Sequence, residues 1–302
     1  MVRLHKSLLL CFLLIVVFAG RSIACDRSTA DIGEGWVEYR SGEFLYQYAL
    51  RGIHAINVEE VEPTVPRIVL DVDVQLQAAK HIFQTLGYRG PLQSDRYRSQ
   101  KVTVIVVRFM NLRGMGLAFD EVARTKDGEC ALFIHLSNGI KTGNVTPAHE
   151  YFHQIQNGYA PFKRTWFYEG TARWSESVLA QRDVQVRPLP QTPDELSQLW
   201  QESYSAFSAW NALAEQCDAN GHRMPLTAQW RNLRYSNGQA VVLDDVLPGH
   251  GFMLRVLKAL GALGERLSPH EGVLPHRWPE ALQRDPKHDA AMWQAVQQAC
   301  RP

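Results

Sequence analysis

The sequence predicts an α+β fold, in which a small β-sheet precedes a mainly α-helical C-terminal half. Segments with the alternation or β-branched content of strands lie before residue 146, whereas segments with helical spacing dominate the rest of the chain. Of the 302 residues, 45% are hydrophobic, and this content is sufficient for a large core.

The N-terminus has the organisation of a signal peptide. Two basic residues precede an apolar run over 8–19 that is too short to span a bilayer, and the small residues Ser22 and Ala24 follow. We therefore expect residues 1–24 to be removed and the protein to be periplasmic or secreted. Association with a membrane is expected only if Cys25 is lipidated, because 22–25 partly resembles a bacterial lipobox.

Four cysteines remain after removal of the signal peptide, and no two of them have the CxxC spacing of a metal or redox site. In an oxidising compartment they predict two disulfides, and the three possible pairings stay open. The four are Cys25, Cys130, Cys217 and Cys300.

Charge excludes one class of partner. Without residues 1–24 the chain has 29 lysines and arginines against 31 acids, and it has no basic stripe or polybasic tail. We therefore expect no nucleic acid partner, while the oligomeric state is not predicted.

The strand pattern divides the first part of the chain. An N-terminal extension over 25–65 contains a predicted hairpin at 36–49, and three roles stay open for it: to pack on the core, to cover a cleft or to act as a tether. The main domain, 66–302, has its sheet part over 66–145 and its helical part over 146–302. Interior strands are predicted at 101–110 and 130–137.

Helices are predicted by apolar spacing and by capping residues. One begins with Thr146 as the N-cap and Pro147 as the first helical residue. The other predicted helices cover 74–86, 169–181, 239–247 and 252–263.

The helix that begins at Thr146 contains an HExxH motif, formed by His149, Glu150 and His153. Positions i and i+4 share one face of a helix, so both imidazoles can bind one zinc ion, and the Glu can act on a zinc-activated water as a general base. The sequence therefore predicts a hydrolytic zinc site.

A third ligand is predicted at Glu169, within the segment WFYEGTARWSE at 166–176. Catalytic zinc usually has three protein ligands, and a turn at Asn157-Gly158 would return the chain to the metal. Glu176 could accept a hydrogen bond from a ligand histidine, and Arg173 is expected to pair with Glu176.

These motifs resemble those of the gluzincin metallopeptidases, whose third zinc ligand is a Glu, and most closely the M1-like branch. The branch has a W-x-x-E-G-x-A segment with an acid seven places after the Glu, and a Tyr-x-x-Gly segment. The matching residues are Trp166, Glu169, Gly170, Ala172 and Glu176 in the first segment, and Tyr235 and Gly238 in the second.

The resemblance implies a β-sheet over a zinc-bearing helix pair, one Zn²⁺ per chain, a peptide or protein substrate, and Tyr235 as the group that stabilises the transition state. Two departures qualify it. The spacing from His153 to Glu169 is shorter than usual, and the exopeptidase segment whose Glu holds the substrate amine has no counterpart. An endopeptidase is therefore favoured over an aminopeptidase.

Two alternatives stay open at the level of sequence. One is a non-catalytic surface protein on a metallopeptidase scaffold, and the other is a zinc amidohydrolase that acts on a non-peptide amide.

Overall fold

The computed structural model describes residues 25, 27–28, 35–56, 64–110, 115–180, 185–218 and 223–301. The predicted signal peptide lies outside these residues. Within the described part of the chain, no helix is long and apolar enough to cross a membrane.

The fold is a mixed α/β arrangement built on one seven-stranded sheet. Its strand order is β1-β6-β7-β4-β3-β2, and β5 also pairs with β7. The strands are β1 (Arg27–Ser28), β2 (Trp36–Ser41), β3 (Phe44–Ala49), β4 (Thr103–Arg108), β5 (Gly116–Ala118), β6 (Ala123–Arg124) and β7 (Cys130–Ser137).

The predicted hairpin and both interior strands are confirmed. β2 and β3 pair antiparallel around Gly42, which has a φ of 58° and thus the left-handed conformation that glycine adopts without strain. β3 then pairs in parallel with β4, and β4 with β7. Of the three roles left open for the N-terminal extension, packing on the core is therefore the one that the hairpin has.

Nine α-helices occur in the described residues. They are α1 (Arg67–Thr85), α2 (Thr146–Tyr159), α3 (Thr165–Ser175), α4 (Pro193–Trp200), α5 (Phe207–Cys217), α6 (Ala228–Arg231), α7 (His250–Leu267), α8 (Glu280–Gln283) and α9 (Asp289–Ala299). α1 connects the parallel strands β3 and β4 and begins before the predicted residue 74.

The helix predicted at 239–247 is wrong. Val241, Val242 and Leu247 are buried, whereas Leu243 is exposed. The segment is irregular and its amides bond to other parts of the chain, since Val241 N–H donates to the carbonyl of Leu233, and Leu243 N–H to that of Val178. The helical spacing of the apolar residues at 239–247 thus reflects partial burial of a segment that is not helical.

Two details of α2 also differ from prediction. The helix includes Thr146, whose N–H bonds to Oδ1 of Asn144, so Pro147 is the second helical residue rather than the first. Asn157 and Gly158 do not form a turn but belong to α2, which continues to Tyr159. A Cβ on Gly158 would lie 2.9 Å from Cβ of Ser94, so the glycine permits close packing at this point of the helix.

One disulfide joins Cys217, at the end of α5, to Cys300, after α9. Cys25 belongs to a small apolar cluster against which Cys130 packs. The second of the two predicted disulfides is not formed in the described part of the chain, where Cys130 is a free thiol.

Candidate metal centre

α2 and α3 bring together the three side chains predicted to bind metal. Nε2 of His149 lies 3.2 Å from Oε2 of Glu169, and Nε2 of His153 lies 3.4 Å from the same oxygen. One ligand atom from each residue lies within 4.8 Å of the other two. The site is a His-His-Glu cluster with two buried imidazoles and a partly exposed carboxylate.

Glu169 lies inside α3 rather than at its start, because α3 begins at Thr165 and ends at Ser175 instead of covering 169–181. The residues around Glu169 fix the helix. Trp166 stacks on Trp210 of α5 with ring centroids 5.7 Å apart, and a Cβ on Gly170 would lie 2.8 Å from the Trp210 ring. Trp166 and Gly170 of the W-x-x-E-G segment therefore pack α3 against α5, and Glu169 faces α2.

The outer nitrogen of each histidine has a buried acceptor. Nδ1 of His149 lies 2.7 Å from Oε1 of Glu176, as predicted for that residue, and Nδ1 of His153 lies 2.6 Å from Oε1 of Gln156. Gln156 in turn donates to the hydroxyl of Thr171 on α3. These acceptors favour the tautomer with the proton on Nδ1, which directs both Nε2 lone pairs towards Glu169.

Two Nε2 lone pairs and a carboxylate oxygen that converge within 4.8 Å repel one another unless a cation lies among them. Burial opposes protonation of His149, but the bonds to Glu169 and Glu176 outweigh burial and raise its pKa to about 9. Burial also opposes the charge of Glu169, yet the two histidines hold its pKa well below the usual range. The surroundings therefore favour a positive charge, and nitrogen and oxygen donors in this number suit zinc.

Glu150 lies beside the cluster and is buried, which raises the pKa of its carboxyl above the usual value. The N–H of Ala118 on β5 donates to this carboxylate. A Cβ on Gly116 would lie 2.7 Å from Cγ of Glu150, so only glycine lets β5 approach the carboxylate this closely. Helix and edge strand together fix the predicted general base.

Two cavities open on either side of Glu150. The larger, of about 700 Å³, is lined by Met115, His149, Arg173, Glu176 and Tyr235, among others. The smaller, of about 400 Å³, is lined by Ala118, Asp120, His153, Lys163 and Glu169, among others. Both include Gly116, Glu150 and Tyr204, so the two form a cleft that passes across the cluster.

Tyr235 lies on the wall of the larger cavity and does not touch the three predicted ligands in any contact of the described residues. Its hydroxyl is 2.6 Å from Nε2 of Gln75, which donates to it, and burial raises the pKa of the phenol. Gln75 also accepts from the N–H of Ala148, one residue before His149. Tyr235 is thus tied to the start of the motif through α1.

Tyr204 is a site residue that the sequence did not reveal. Its ring centroid lies 5.7 Å from that of His149, and burial together with the negative charge of the nearby Glu169 raises the pKa of its phenol. The side chain remains half exposed to the cleft. No sequence motif indicates it, because Tyr204 is distant in sequence from the ligand motifs and comes close to His149 only when the chain folds.

The predicted ion pair between Arg173 and Glu176 does not form. The carboxylate of Glu176 bonds to His149 instead, and the guanidinium of Arg173 lies over the ring of Phe207 at 5.0 Å. The buried His149 is the hydrogen-bond partner of Glu176, and Arg173 lines the larger cavity instead.

Comparison with known proteins adds no relative. No family model, no curated protein and no solved structure matches the chain.

Proposed function

We propose that this protein is a zinc-dependent metallopeptidase that hydrolyses internal peptide bonds on a gluzincin-type core. The observation that carries the proposal is the convergence of His149, His153 and Glu169 on one point, with the carboxylate of Glu150 beside it. Three protein ligands with an adjacent carboxylate base are the usual composition of a hydrolytic zinc site.

Zinc, when bound by these three residues, supplies a Lewis acid that lowers the pKa of water and polarises a carbonyl group. Glu150 accepts the proton of the attacking water and later delivers it to the leaving amine. Its raised pKa suits both roles, because a carboxyl that binds a proton more readily than usual can hold it between the two steps. The N–H of Ala118 keeps the carboxylate in position.

The negative charge that develops on the carbonyl oxygen needs a donor from the protein as well. Two phenols border the larger cavity. Tyr204 contacts the ligand Glu169 and lies over His149, so we assign this role to its hydroxyl. Tyr235, which the sequence resemblance implies for the role, stays a second candidate, with its hydroxyl held by Gln75.

β5 offers an extended peptide a place to bind. Ser137 N–H donates to the carbonyl of Met115, and Phe119 N–H to that of Phe133, so these alternate residues of the β5 segment face β7. The backbone groups of Gly116 and Ala118 therefore face away from β7, and Ala118 N–H meets Glu150. A substrate that adds as a strand at this edge crosses the cluster.

The cleft continues past Glu150 on both sides, as the two cavities demonstrate. A chain that enters from either side finds space beyond the scissile bond, which supports cleavage of internal bonds. An antiparallel substrate, the slightly more stable pairing, has its C-terminal side at Met115 and Gly116, and thus in the larger cavity.

We infer an exported protein from the N-terminal signal, and the disulfide between Cys217 and Cys300 fits an oxidising compartment. Peptides of that compartment, and not nucleic acids, are the proposed substrates.

The proposal is tested with purified protein reconstituted with zinc and a mixed peptide library read by mass spectrometry. We expect cleavage of internal bonds, and a loss of about 10²-fold to 10⁴-fold in Glu150→Gln, which removes the base but retains size and shape. Glu195→Gln is a matched control, because Glu195 caps α4 at the exposed surface.

Equal cleavage by wild type and Glu150→Gln would contradict the mechanism. Zinc binding without cleavage of any peptide would instead favour a zinc amidohydrolase with another amide substrate or a non-catalytic scaffold.

A further inference from the structure

Arg173 is the one lysine or arginine among the described residues that line the larger cavity. It lies four residues after the ligand Glu169 on α3, and residues at this spacing share one face of a helix, with Cβ atoms about 5–6 Å apart. Arg173 therefore lies on the face of α3 that carries Glu169, one turn further along the helix, and it lines the larger cavity whereas Glu169 lines the smaller.

Among the residues that the structure describes, no acid compensates the charge of Arg173. Within the described part of the chain, no carboxylate makes an ion pair with it, and its Nε is buried without a hydrogen-bond partner. One face of the guanidinium is covered by Phe207. A cation in such surroundings is costly unless an anion or acceptor meets it, so an arginine without a partner at a cavity wall indicates a ligand.

The acids of the cavity are already engaged. Glu176 bonds to His149, and Glu150 receives the N–H of Ala118. Lys163, the lysine of the smaller cavity, has two carboxylate partners, Asp120 at 2.8 Å and Glu280 at 2.6 Å. The two cavities thus differ. The ammonium group of Lys163 in the smaller cavity is paired with two carboxylates, whereas the guanidinium of Arg173 in the larger cavity is paired with no carboxylate of the described residues.

We propose that Arg173 binds a carboxylate of the peptide substrate, on the C-terminal side of the bond that is cleaved. This inference rests on the proposed function and specifies its substrate class. An extended chain advances about 3.3 Å per residue, so the carboxylate belongs to one of about the first three residues after the scissile bond. Its source is either the C-terminal carboxylate of a short peptide or the side chain of Asp or Glu, and arginine binds both in the same two-pronged geometry.

The test measures binding rather than turnover, so that it is independent of catalysis. Immobilised Glu150→Gln protein, loaded with zinc, is exposed to four matched peptide mixtures: C-terminal acids, the same peptides as amides, amides with Glu in the last three positions, and amides with Gln there. We expect at least one carboxylate mixture to be retained about tenfold better than its neutral match, the gain typical of a charge-assisted bond.

The same measurement in Arg173→Met should remove this preference, whereas Arg277→Met, at an exposed position away from both cavities, should leave it unchanged. Arg173→Lys keeps the charge but loses the planar fork, and we expect it to retain a smaller preference. Thermal melting of each variant establishes that it is folded.

Preference for C-terminal acids alone identifies the peptide terminus as the source, and preference for Glu alone identifies the side chain. Equal retention of charged and neutral mixtures by protein with Arg173 intact, or a preference that survives Arg173→Met, overturns the inference. Failure of the proposed function is a separate result, since it appears as absence of cleavage by the wild type.

Discussion

The two cavities beside Glu150 contrast in how the fold treats buried charge. In the smaller, Asp120 accepts bonds from Arg96 and Lys163, each at 2.8 Å, and Lys163 also reaches Glu280. In the larger, the guanidinium of Arg173 lies over the ring of Phe207, and no carboxylate of the described residues forms an ion pair with it. A compensated cluster stabilises the fold, whereas an uncompensated cation indicates a ligand, and this difference separates structural from binding residues within one cleft.

The largest effect on stability is expected when Asp120 is removed from the ion-pair cluster of the smaller cavity. Burial alone would raise the pKa of Asp120, but Arg96 and Lys163 outweigh it and hold the pKa well below its usual range. Asp120→Asn leaves these cations without their shared anion, and we expect a loss of about 3–5 kcal/mol in the free energy of unfolding, measured by denaturant titration at pH 7.

The pH dependence gives this prediction a sign. Because the folded pKa of Asp120 is depressed, its contribution is complete above the unfolded value of about 3.9 and is lost as pH falls below it. The gap between wild type and Asp120→Asn should therefore narrow below about pH 4. Asp95→Asn, which breaks an exposed pair with Arg89, should cost under about 1 kcal/mol at any pH.

The wall of the larger cavity is tested next, with its two phenols. If Tyr204 stabilises the developing oxyanion, Tyr204→Phe should lower kcat about 10²-fold to 10³-fold without a comparable change in zinc affinity. Tyr235→Phe removes a bond to Gln75 and should change kcat less. A larger effect from Tyr235→Phe would assign the oxyanion role to Tyr235 and contradict our assignment.

A smaller effect is expected where Glu176 supports the cluster from behind. Glu176→Ala removes the acceptor on Nδ1 of His149, which frees the ring to rotate, and zinc affinity should fall about 10-fold to 100-fold in a competition assay with a chelator. Glu176→Gln retains an acceptor and serves as the matched variant. Unchanged affinity in Glu176→Ala would show that His149 is oriented by its packing alone.

The sequence predicted the residues of the His-His-Glu cluster better than the residues that line the cavities around it. The spacing of His149 and His153 is a property of one helix, and Glu169 was identified from the segment at 166–176, so local pattern was sufficient to indicate that these three side chains meet. Tyr204 escaped prediction because its position depends on how distant segments pack. The misassigned helix at 239–247, also part of the wall, failed for the same reason.

The sheet shows the same division. The β-branched run at 101–110 located β4, and 130–137 was correctly a second strand candidate, but nothing in the composition of 36–49 specified that β3 would pair in parallel with β4. That pairing depends on the crossover connection between β3 and β4, which contains α1. The helix begins before the predicted residue 74. Local elements were thus predictable, whereas their partners required the tertiary structure.

The most direct test of the central claim is the zinc content of the purified, chelator-treated and reconstituted protein, measured by mass spectrometry for wild type and for Glu169→Ala. Our account predicts one zinc per chain in the wild type and a marked loss of affinity in Glu169→Ala, because three convergent donors become two. A wild type that binds no zinc, or a variant that binds it equally well, would contradict the assignment of His149, His153 and Glu169 as a metal centre.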